Sequence, residues 1–363
     1  MAKKAYIGVD GTARRVGKGY VGVDGTARRI RKAYIGVGSV ARPCWCGGEL
    51  TYYGRIADMS IARDGCSAAS NGNHALIFGG NAVDAYDRSL TRTNPTAPSA
   101  DSWNGQIEYN GKYFVAALSR SGTTDINTVN AYDDDLTRTV VSTGLSVARR
   151  IHRGGTAVGQ YALFAGGDNY SNVVDAYDQT LTRTNPTGLS TGVAVSVAVG
   201  TEHHALIAGG KNSSGTYQKT VNVYDSGLTK STATALSAAR GNMGYAASPS
   251  MAMIAGGETG SSAVKAVVDI YTDDLVHSTA ENLSAARRGS AGAYLDGYFL
   301  ICGGENPGTN YATTDVYDKD LIRTTGNDLS AARTTMEGAV VGDYAIIPGG
   351  YISVKNVDAF TLV

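Results

Sequence analysis

The sequence predicts an all-β protein in which residues 48–363 form a seven-bladed β-propeller, preceded by a separate arm over residues 1–47. Three landmarks that recur along the chain support this prediction. They are a Gly-Gly pair after a short apolar run, an aromatic-Asp step, and a Leu-Ser-Ala-Ala-Arg motif or a close variant of it. The aromatic positions recur every 43 to 47 residues, the length of a four-stranded propeller blade.

The Gly-Gly pairs mark one tight turn in most of the periods. Gly adopts positive φ without steric cost, so a pair of them ends an apolar strand sharply. Six pairs occupy this position of the repeat, at 79–80, 166–167, 209–210, 256–257, 303–304 and 349–350. The second period shows Ala116-Ala117 where we expect its pair, and it brings the number of predicted blades to seven.

One period shows how a blade divides into strands. Between residues 240 and 283 we predict strands at 241–248, 251–255, 267–271 and 275–279. The last two are separated by a tight turn that contains Asp, whose carboxylate can accept hydrogen bonds from nearby main-chain N–H groups.

The two ends of the ring complement each other. The last period stops at Val363, after its third predicted strand. Near the start of the ring, Leu50, Ser60 and Arg63 repeat the order and context of Leu136, Ser146 and Arg149. We therefore predict that the segment at Leu50 is the fourth strand of the last blade. Pairing the two ends would remove exposed sheet edges and close the ring.

Composition and charge limit the class of protein. Hydrophobic residues make up 42% of the chain, enough for a core, and the net charge is zero. Residues 1–43 hold ten basic and two acidic residues, a net charge of +8. The rest of the chain therefore holds 22 basic and 30 acidic residues, a net charge of −8. No apolar run is long enough to span a membrane, and the basic N-terminus lacks the apolar core of a secretory signal. We therefore expect synthesis in the cytoplasm and no membrane insertion.

The arm contains a second, shorter repeat with a period of 14 residues. Lys-Ala-Tyr-Ile-Gly-Val or a variant begins at Lys4, Lys18 and Lys32. Asp10-Gly11 and Asp24-Gly25 lie between alternating segments, as in type I′ hairpins. We predict a short array of β-hairpins. It is too small to form its own core and would order against a partner or another copy of the chain.

The repeats of the ring resemble kelch repeats, in the apolar run that ends in Gly-Gly and in the Tyr one blade length apart. The Trp that usually follows this Tyr in kelch repeats is absent from every blade. The arm resembles Tyr- and Gly-Val-rich repeats in tail-associated proteins of phages and prophages of Gram-positive bacteria. This resemblance implies a virion or tail protein that is made in the host cytoplasm and released by lysis.

The repeated Arg is the first candidate for ligand binding. It lies where one blade passes to the next, on the face that should also carry the loops after the Gly pairs, and such variable loops on a rigid scaffold commonly bind ligands. We predict that these arginines contribute to a site for an anionic ligand or a glycan: Arg63, Arg149, Arg240, Arg287 and Arg333. The structural alternative is that each Arg pairs with the acid that follows a Gly pair, as at Asp168, Glu258 and Glu305.

Catalytic and metal sites are weakly represented in the sequence. The five His residues lack metal-ligand spacing, and Cys44 and Cys46 are two ligands short of a four-ligand zinc site. We find neither a nucleophile-elbow motif nor a phosphate-binding loop that opens a helix. We therefore predict a protein that is not an enzyme and needs no metal or cofactor.

The arm is the second candidate site. Its paired arginines alternate with tyrosines, and we predict that these residues attach the chain to virion or tail proteins: Arg14, Arg15, Arg28, Arg29, Tyr6, Tyr20 and Tyr34. The arm could instead bind the propellers of neighbouring copies or, as a less favoured partner, nucleic acid. The alternative without any partner is that the arm is a solvated tail.

Together these observations predict a non-enzymatic binding or structural protein on a virion. The arm would attach it, and one face of the propeller would bind a cell-surface glycan or protein. The alternatives are a cytosolic kelch-like scaffold for protein interactions and, less favoured, a carbohydrate-active enzyme.

Overall fold

The computed structural model describes residues 48–63, 65–260, 263–351 and 354–363 in full, and the backbone of six strands before them. All the regular structure in these residues is β-strand, arranged mainly in seven four-stranded antiparallel sheets. A search of the described residues for a helix long and apolar enough to cross a membrane finds none.

The seven sheets are the predicted blades, and we number them in chain order. The strands are given from the axis outward. Blade 1 contains Ser67–Ser70, His74–Gly79, Ala82–Asp87 and Arg92–Thr93, and blade 2 contains Gln106–Tyr109, Phe114–Ala117, Val129–Tyr132 and Arg138–Val140. Blade 3 contains Gly155–Val158, Tyr161–Ala165, Val174–Tyr177 and Arg183–Thr184. Blade 4 contains Val197–Gly200, His204–Ala208, Val221–Asp225 and Lys230–Ala233. Blade 5 contains Gly244–Ser248, Met251–Ala255, Val268–Thr272 and His277–Ala280. Blade 6 contains Ala291–Leu295, Tyr298–Cys302, Thr314–Tyr317 and Arg323–Thr325. Blade 7 contains Ala339–Val341, Tyr344–Pro348, Val357–Leu362 and Leu50–Arg55.

The composite blade closes the ring as predicted. Leu50–Arg55 pairs antiparallel with Val357–Leu362, with Leu50 opposite Leu362 and a bulge at Ala359. The innermost strand of each blade contacts that of the next, and the innermost strand of blade 7 contacts that of blade 1. The apolar core accordingly forms seven clusters of buried residues around the ring.

The two faces of the ring carry different connections because successive strands of a blade run antiparallel. The junction face carries the segments between blades and the loops after the Gly pairs; bridges join these two sets, for example Gly241 with Glu258. Three of these loops form small hairpins: Arg120–Ser121 with Thr124–Asp125, Glu258–Gly260 with Ala263–Val264, and Glu305–Asn306 with Thr309–Asn310. The turn face, opposite, carries the turns within the other strand pairs.

The Gly pairs are required by close packing at the junction face. Gly256 has φ 64°, and a Cβ added there would lie 2.4 Å from the main-chain oxygen of Arg287. The sequence alignment of blade 2 was wrong by two residues. Ala117 is paired with Val129 as Ala165 is paired with Val174, so Leu118-Ser119, and not Ala116-Ala117, replaces the Gly pair.

The turns after the aromatic-Asp steps are longer than predicted. In blade 5 the fourth strand begins at His277, because Leu275 has φ 60° and Thr272 N–H donates to Val276 O within the turn. The first strand begins at Gly244, since Asn242 also has positive φ.

The aromatic positions join neighbouring blades. In six blades this residue is a fully buried Tyr whose hydroxyl donates to a main-chain oxygen in the segment that enters the blade. In blade 6, for instance, Tyr317 donates to Glu281 O at 2.8 Å. Phe360 takes this position in blade 7.

The arm contains three two-stranded hairpins, as the Asp-Gly steps predicted. They are Tyr6–Val9 with Thr12–Arg15, Gly19–Val23 with Thr26–Ile30, and Lys32–Val37 with Val40–Cys46. The register places Val9 opposite Thr12 and Val23 opposite Thr26, which leaves two residues for each loop.

Candidate functional site

The five repeated arginines lie inside the blades. Each is at most 3% exposed, and its guanidinium binds the Asp two residues before the aromatic landmark at 2.5–2.7 Å. The pairs are Arg63–Asp84, Arg149–Asp175, Arg240–Asp269, Arg287–Asp315 and Arg333–Asp358. A ligand in solvent does not reach side chains buried to this degree, so the structure places these arginines in the scaffold.

Blade 6 shows why the motif contains both Ser and Arg. The main-chain N–H and the hydroxyl of Ser284 both donate to the Asp315 carboxylate, which also binds Arg287. Arg287 donates further to the main-chain oxygens of Ile301 and Gly303, where the Gly pair interrupts the strand. The motif therefore links the entering segment to the second and third strands of its blade.

The acids that follow the Gly pairs have a different partner from the one predicted. The proposed pairing of the repeated Arg with Asp168 or Glu305 is wrong, because the Arg immediately after it in sequence makes these contacts. Arg150 lies near Asp125 and Asp168, and Arg288 contacts Glu258 and Glu305. We call these two groups the 2/3 clamp and the 5/6 clamp, after the blades that they join.

The two clamps differ in how fully their polar atoms are used. In the 5/6 clamp, Arg288 binds Glu305 at 2.8 Å and also donates to Glu258. In the 2/3 clamp, Arg150 is 3.6 Å from Asp125 and 3.5 Å from Asp168, and its Nε has no hydrogen-bond partner. Burial raises the pKa of Asp168, and the charge of Arg150 offsets this only in part. The Nε is buried, but the Asp125 and Asp168 carboxylates are 24% and 21% exposed, so they retain hydrogen-bonding capacity that the 5/6 clamp has used.

Exposed aromatic side chains adjoin the 2/3 clamp. Four aromatic side chains are exposed in the described residues, and three of them lie on the junction face: Trp103 (45%), Tyr170 (40%) and Tyr351 (54%). Trp103 N–H donates to Arg120 O, at the start of the hairpin that carries Asp125. Tyr170 follows Asn169, whose amide donates to Asp125 at 3.1 Å.

Tyr170 is also held in an unusual backbone conformation. Its φ is 55°, in the left-handed region that residues with a Cβ rarely adopt, and its N–H donates to Gly167 O. Such conformations concentrate at functional sites, where the surrounding structure maintains them.

We call the set Trp103, Asp125, Arg150, Asp168, Asn169 and Tyr170 the junction patch. It combines aromatic rings, two carboxylates, an amide and a partly satisfied guanidinium on one rigid face. Aromatic rings pack against the apolar C–H faces of sugars, while carboxylate, amide and guanidinium groups bind pairs of hydroxyls. The patch is therefore suited to a hydroxylated ligand.

The sequence pattern pointed to this face and to Asp168, but not to the other five residues of the junction patch. Four separate connections supply the six residues. The sequence signal that could have identified them is a departure from the repeat. Trp103 and Tyr170 are large aromatic residues at positions where the other blades have no aromatic residue.

The remaining predicted site residues lie in the arm. The backbone of the strands that hold Tyr6, Arg14, Arg15, Tyr20, Arg28, Arg29 and Tyr34 is described, and their side chains lie outside the described part of the structure. Within the described ranges, no group of three or more His, Cys, Asp or Glu side chains is placed to hold a metal ion.

Comparisons with known proteins support the fold. No protein-family profile matches the chain, and no curated protein matches it in sequence. The solved structure of YjhT is similar, with a TM-score of 0.58 and 14% identity, over 75% of this chain and 99% of that chain. At this identity the likeness concerns the propeller fold alone.

Proposed function

We propose that this chain is a non-enzymatic carbohydrate-binding protein of a phage tail or tail-like particle. The junction patch binds a cell-surface glycan, and the N-terminal arm attaches the ring to the particle. One observation carries the proposal: Arg150, Asp125 and Asp168 have partly exposed side chains separated by 3.5–3.6 Å, on a face with exposed Trp103 and Tyr170.

The charges of the patch favour a neutral, hydroxylated ligand over an anion. Arg120, opposite Asp125 in its hairpin, and Arg150 balance the charges of Asp125 and Asp168, so the patch has no excess positive charge to attract an anion. Hydroxyl groups can instead donate to the carboxylates and accept from the guanidinium. The loops are held by main-chain hydrogen bonds to the blades, which reduces the entropy lost when a ligand binds.

Sequence resemblance supports the proposed location on a phage tail or tail-like particle. The blades resemble kelch repeats, and the arm resembles repeats of phage tail proteins. The charge of +8 in residues 1–43 suits attachment to an acidic protein surface.

The test compares glycan binding by the full chain and by matched variants on an array of bacterial surface polysaccharides. We expect Trp103→Ala with Tyr170→Ala to weaken binding on the order of tenfold, since each aromatic contact contributes about 0.5–1.5 kcal/mol. Tyr53→Ala is the control, because Tyr53 is as exposed as Tyr351 but lies on the outer strand of blade 7. Arg150→Gln should weaken binding, and Arg288→Gln in the satisfied 5/6 clamp should not.

The same experiment separates the alternatives. Binding that is unaffected by the double variant, or equally weakened by Tyr53→Ala, would contradict the glycan site. Capture of a cytosolic protein without any glycan would favour the scaffold, and turnover of a sugar would favour an enzyme. Changing Arg14, Arg15, Arg28 and Arg29 to Gln in the full chain should release it from particles while glycan binding stays unchanged.

A further inference from the structure

The central channel of the ring contains a cavity that the function proposed above does not use. Its volume is about 340 Å³, within the range of pockets for small ligands, and the innermost strands of all seven blades line it. The lining includes the residues at which these strands reach the turn face, such as Ser70, Tyr109 and Gly200. Most of the wall consists of Ala and Gly, so little side-chain volume fills the space.

Arg153 lies across the channel at the junction-face end. It is 1% exposed, with φ 60°, and its guanidinium donates to three main-chain oxygens: Met243 at 2.5 Å, Ser290 at 2.7 Å and Met336 at 2.6 Å. These oxygens belong to the segments that enter blades 5, 6 and 7. One cation from blade 3 thus joins three other blades, and its charge is directed at carbonyl dipoles. The space beside it, lined by His152 and Thr335, is only about 10 Å³.

Two carboxyl groups lie near the closed end of the cavity. Glu337 is 6% exposed and accepts hydrogen bonds from Gln106 Nε2 at 2.8 Å and from Ala68 N–H at 3.3 Å. Glu108 lines the cavity two residues after Gln106. Burial raises the pKa of Glu108 well above its ordinary value, and the charge of Glu337 raises it further, against a hydrogen bond from Gln106. Glu108 therefore binds a proton more readily than a carboxyl group in water does.

Tyr245 completes this end of the cavity. Its ring centre lies 5.8 Å from the Arg153 guanidinium carbon, and the ring also lines the cavity. Burial, followed by the charge of Glu337, raises the pKa of Tyr245 well above its ordinary value, so the phenol remains neutral. An aromatic face beside carboxyl groups attracts cations.

We propose that the central cavity binds a small hydroxylated ammonium compound, with its ammonium group at Glu108. The nearby charge of Glu337 adds to the preference for a cation, and the charge of Arg153 is bound to carbonyls and is not available to an anion. Thr156 and Ser70 offer hydroxyl partners along the wall. An ammonium group beside Glu108 favours the ionised carboxylate, so we expect binding to release a proton from Glu108 to solvent.

The experiment is calorimetric titration of the full chain with glucosamine, glucose and glucuronate, which share a ring size and differ in charge. Amine-free buffers of different ionisation enthalpy report the proton released. We expect glucosamine to bind and release up to one proton, and glucose to bind at least tenfold more weakly. Glucuronate should not bind. Lowering the pH should weaken glucosamine binding, because protons compete with the ammonium group at Glu108.

Variants locate the binding and test its chemistry. Glu108→Gln keeps the shape and should weaken glucosamine binding at least tenfold and abolish proton release. Glu202→Gln removes an exposed turn-face carboxylate and should change neither. Ala157→Leu should also block binding, because it fills the cavity without a change in charge. It provides an independent test if Glu108→Gln fails to fold. Trp103→Ala with Tyr170→Ala should leave glucosamine binding intact, so this proposal and the glycan site can fail separately.

Three results would overturn the proposal. They are the absence of glucosamine binding, equal binding of glucuronate or glucose, and binding that survives Glu108→Gln with its proton release unchanged.

Discussion

Five blades contain a buried Arg–Asp pair, and blades 2 and 4 do not. In blade 2 the two positions are Ser102 and Asn130, and in blade 4 they are Val193 and Asn222. The Ser that precedes them is retained: Ser99 N–H donates to Asn130 and Ser190 N–H donates to Asn222, as the equivalent Ser donates to Asp elsewhere. The contact between Ser and the third strand is thus common to all these blades, while the charges are present or absent together.

Electrostatics explains why the two charges change together. Burying an ion pair costs about as much as its attraction returns, so a blade with neither charge is tolerated. A single buried charge lacks this compensation and costs several kcal/mol. Val193 is 4% exposed and packs in an apolar cluster, so blade 4 fills the space of the guanidinium with hydrocarbon.

The largest effect on stability should come from removing the Arg of the buried pair in blade 6 while its Asp is kept. Arg287→Val removes the buried cation bound to Asp315 and leaves Arg323, at 3.0 Å, as the remaining cation beside the carboxylate. Because a buried pair is broken, we expect a loss of about 3–5 kcal/mol in the free energy of unfolding. Adding Asp315→Asn should restore much of this loss, because the double variant has the same pair of residue types as blade 4. Urea denaturation of the three proteins measures the effect. A double variant that is less stable than Arg287→Val would refute the explanation.

This comparison also shows what the sequence could predict. The number of blades and the closing strand at Leu50 followed from periodicity, because each blade must bury the same faces and the last one lacked a strand. The repeated Arg was found for the same reason, but its role was not. Its Asp lies 21 to 29 residues away and is joined to it only by the fold of the blade.

The junction patch could not be predicted from the repeat. Trp103, Asp125 and Arg150 come from different connections and share no spacing that recurs in other blades. Alignment of repeats emphasises what blades have in common, which here is the scaffold. The residues that distinguish one loop from another carry the candidate site, and their proximity depends on the ring geometry.

An intermediate effect should come from the reverse change, in blade 4. Val193→Arg introduces a buried cation beside Asn222, and we expect a loss of about 3 kcal/mol, from the unpaired charge and from the larger side chain. Asn222→Asp added to it should recover part of this loss by supplying the counter-ion. The coupling between the two substitutions, measured by a double-mutant cycle, should be favourable. A coupling of zero would mean that the pair in the other blades is coincidental.

The smallest effect should be on the pH dependence of stability, in blade 5. Burial alone would raise the pKa of Asp269, but Arg240, His277 and the Ser237 N–H outweigh it and lower the pKa below 3.8. A carboxyl group with a lowered pKa stabilises the folded state above its unfolded pKa, and this contribution disappears as the pH falls through the folded pKa. Arg240→Val with Asp269→Asn should therefore lose less stability between pH 5 and 3, values that bracket the ordinary pKa of about 4. Asp135→Asn, at an exposed turn-face carboxylate, is the control. If the double variant and the wild type lose stability in parallel over this range, the buried pair of blade 5 does not contribute to acid sensitivity, and blades 4 and 5 are equivalent in this respect.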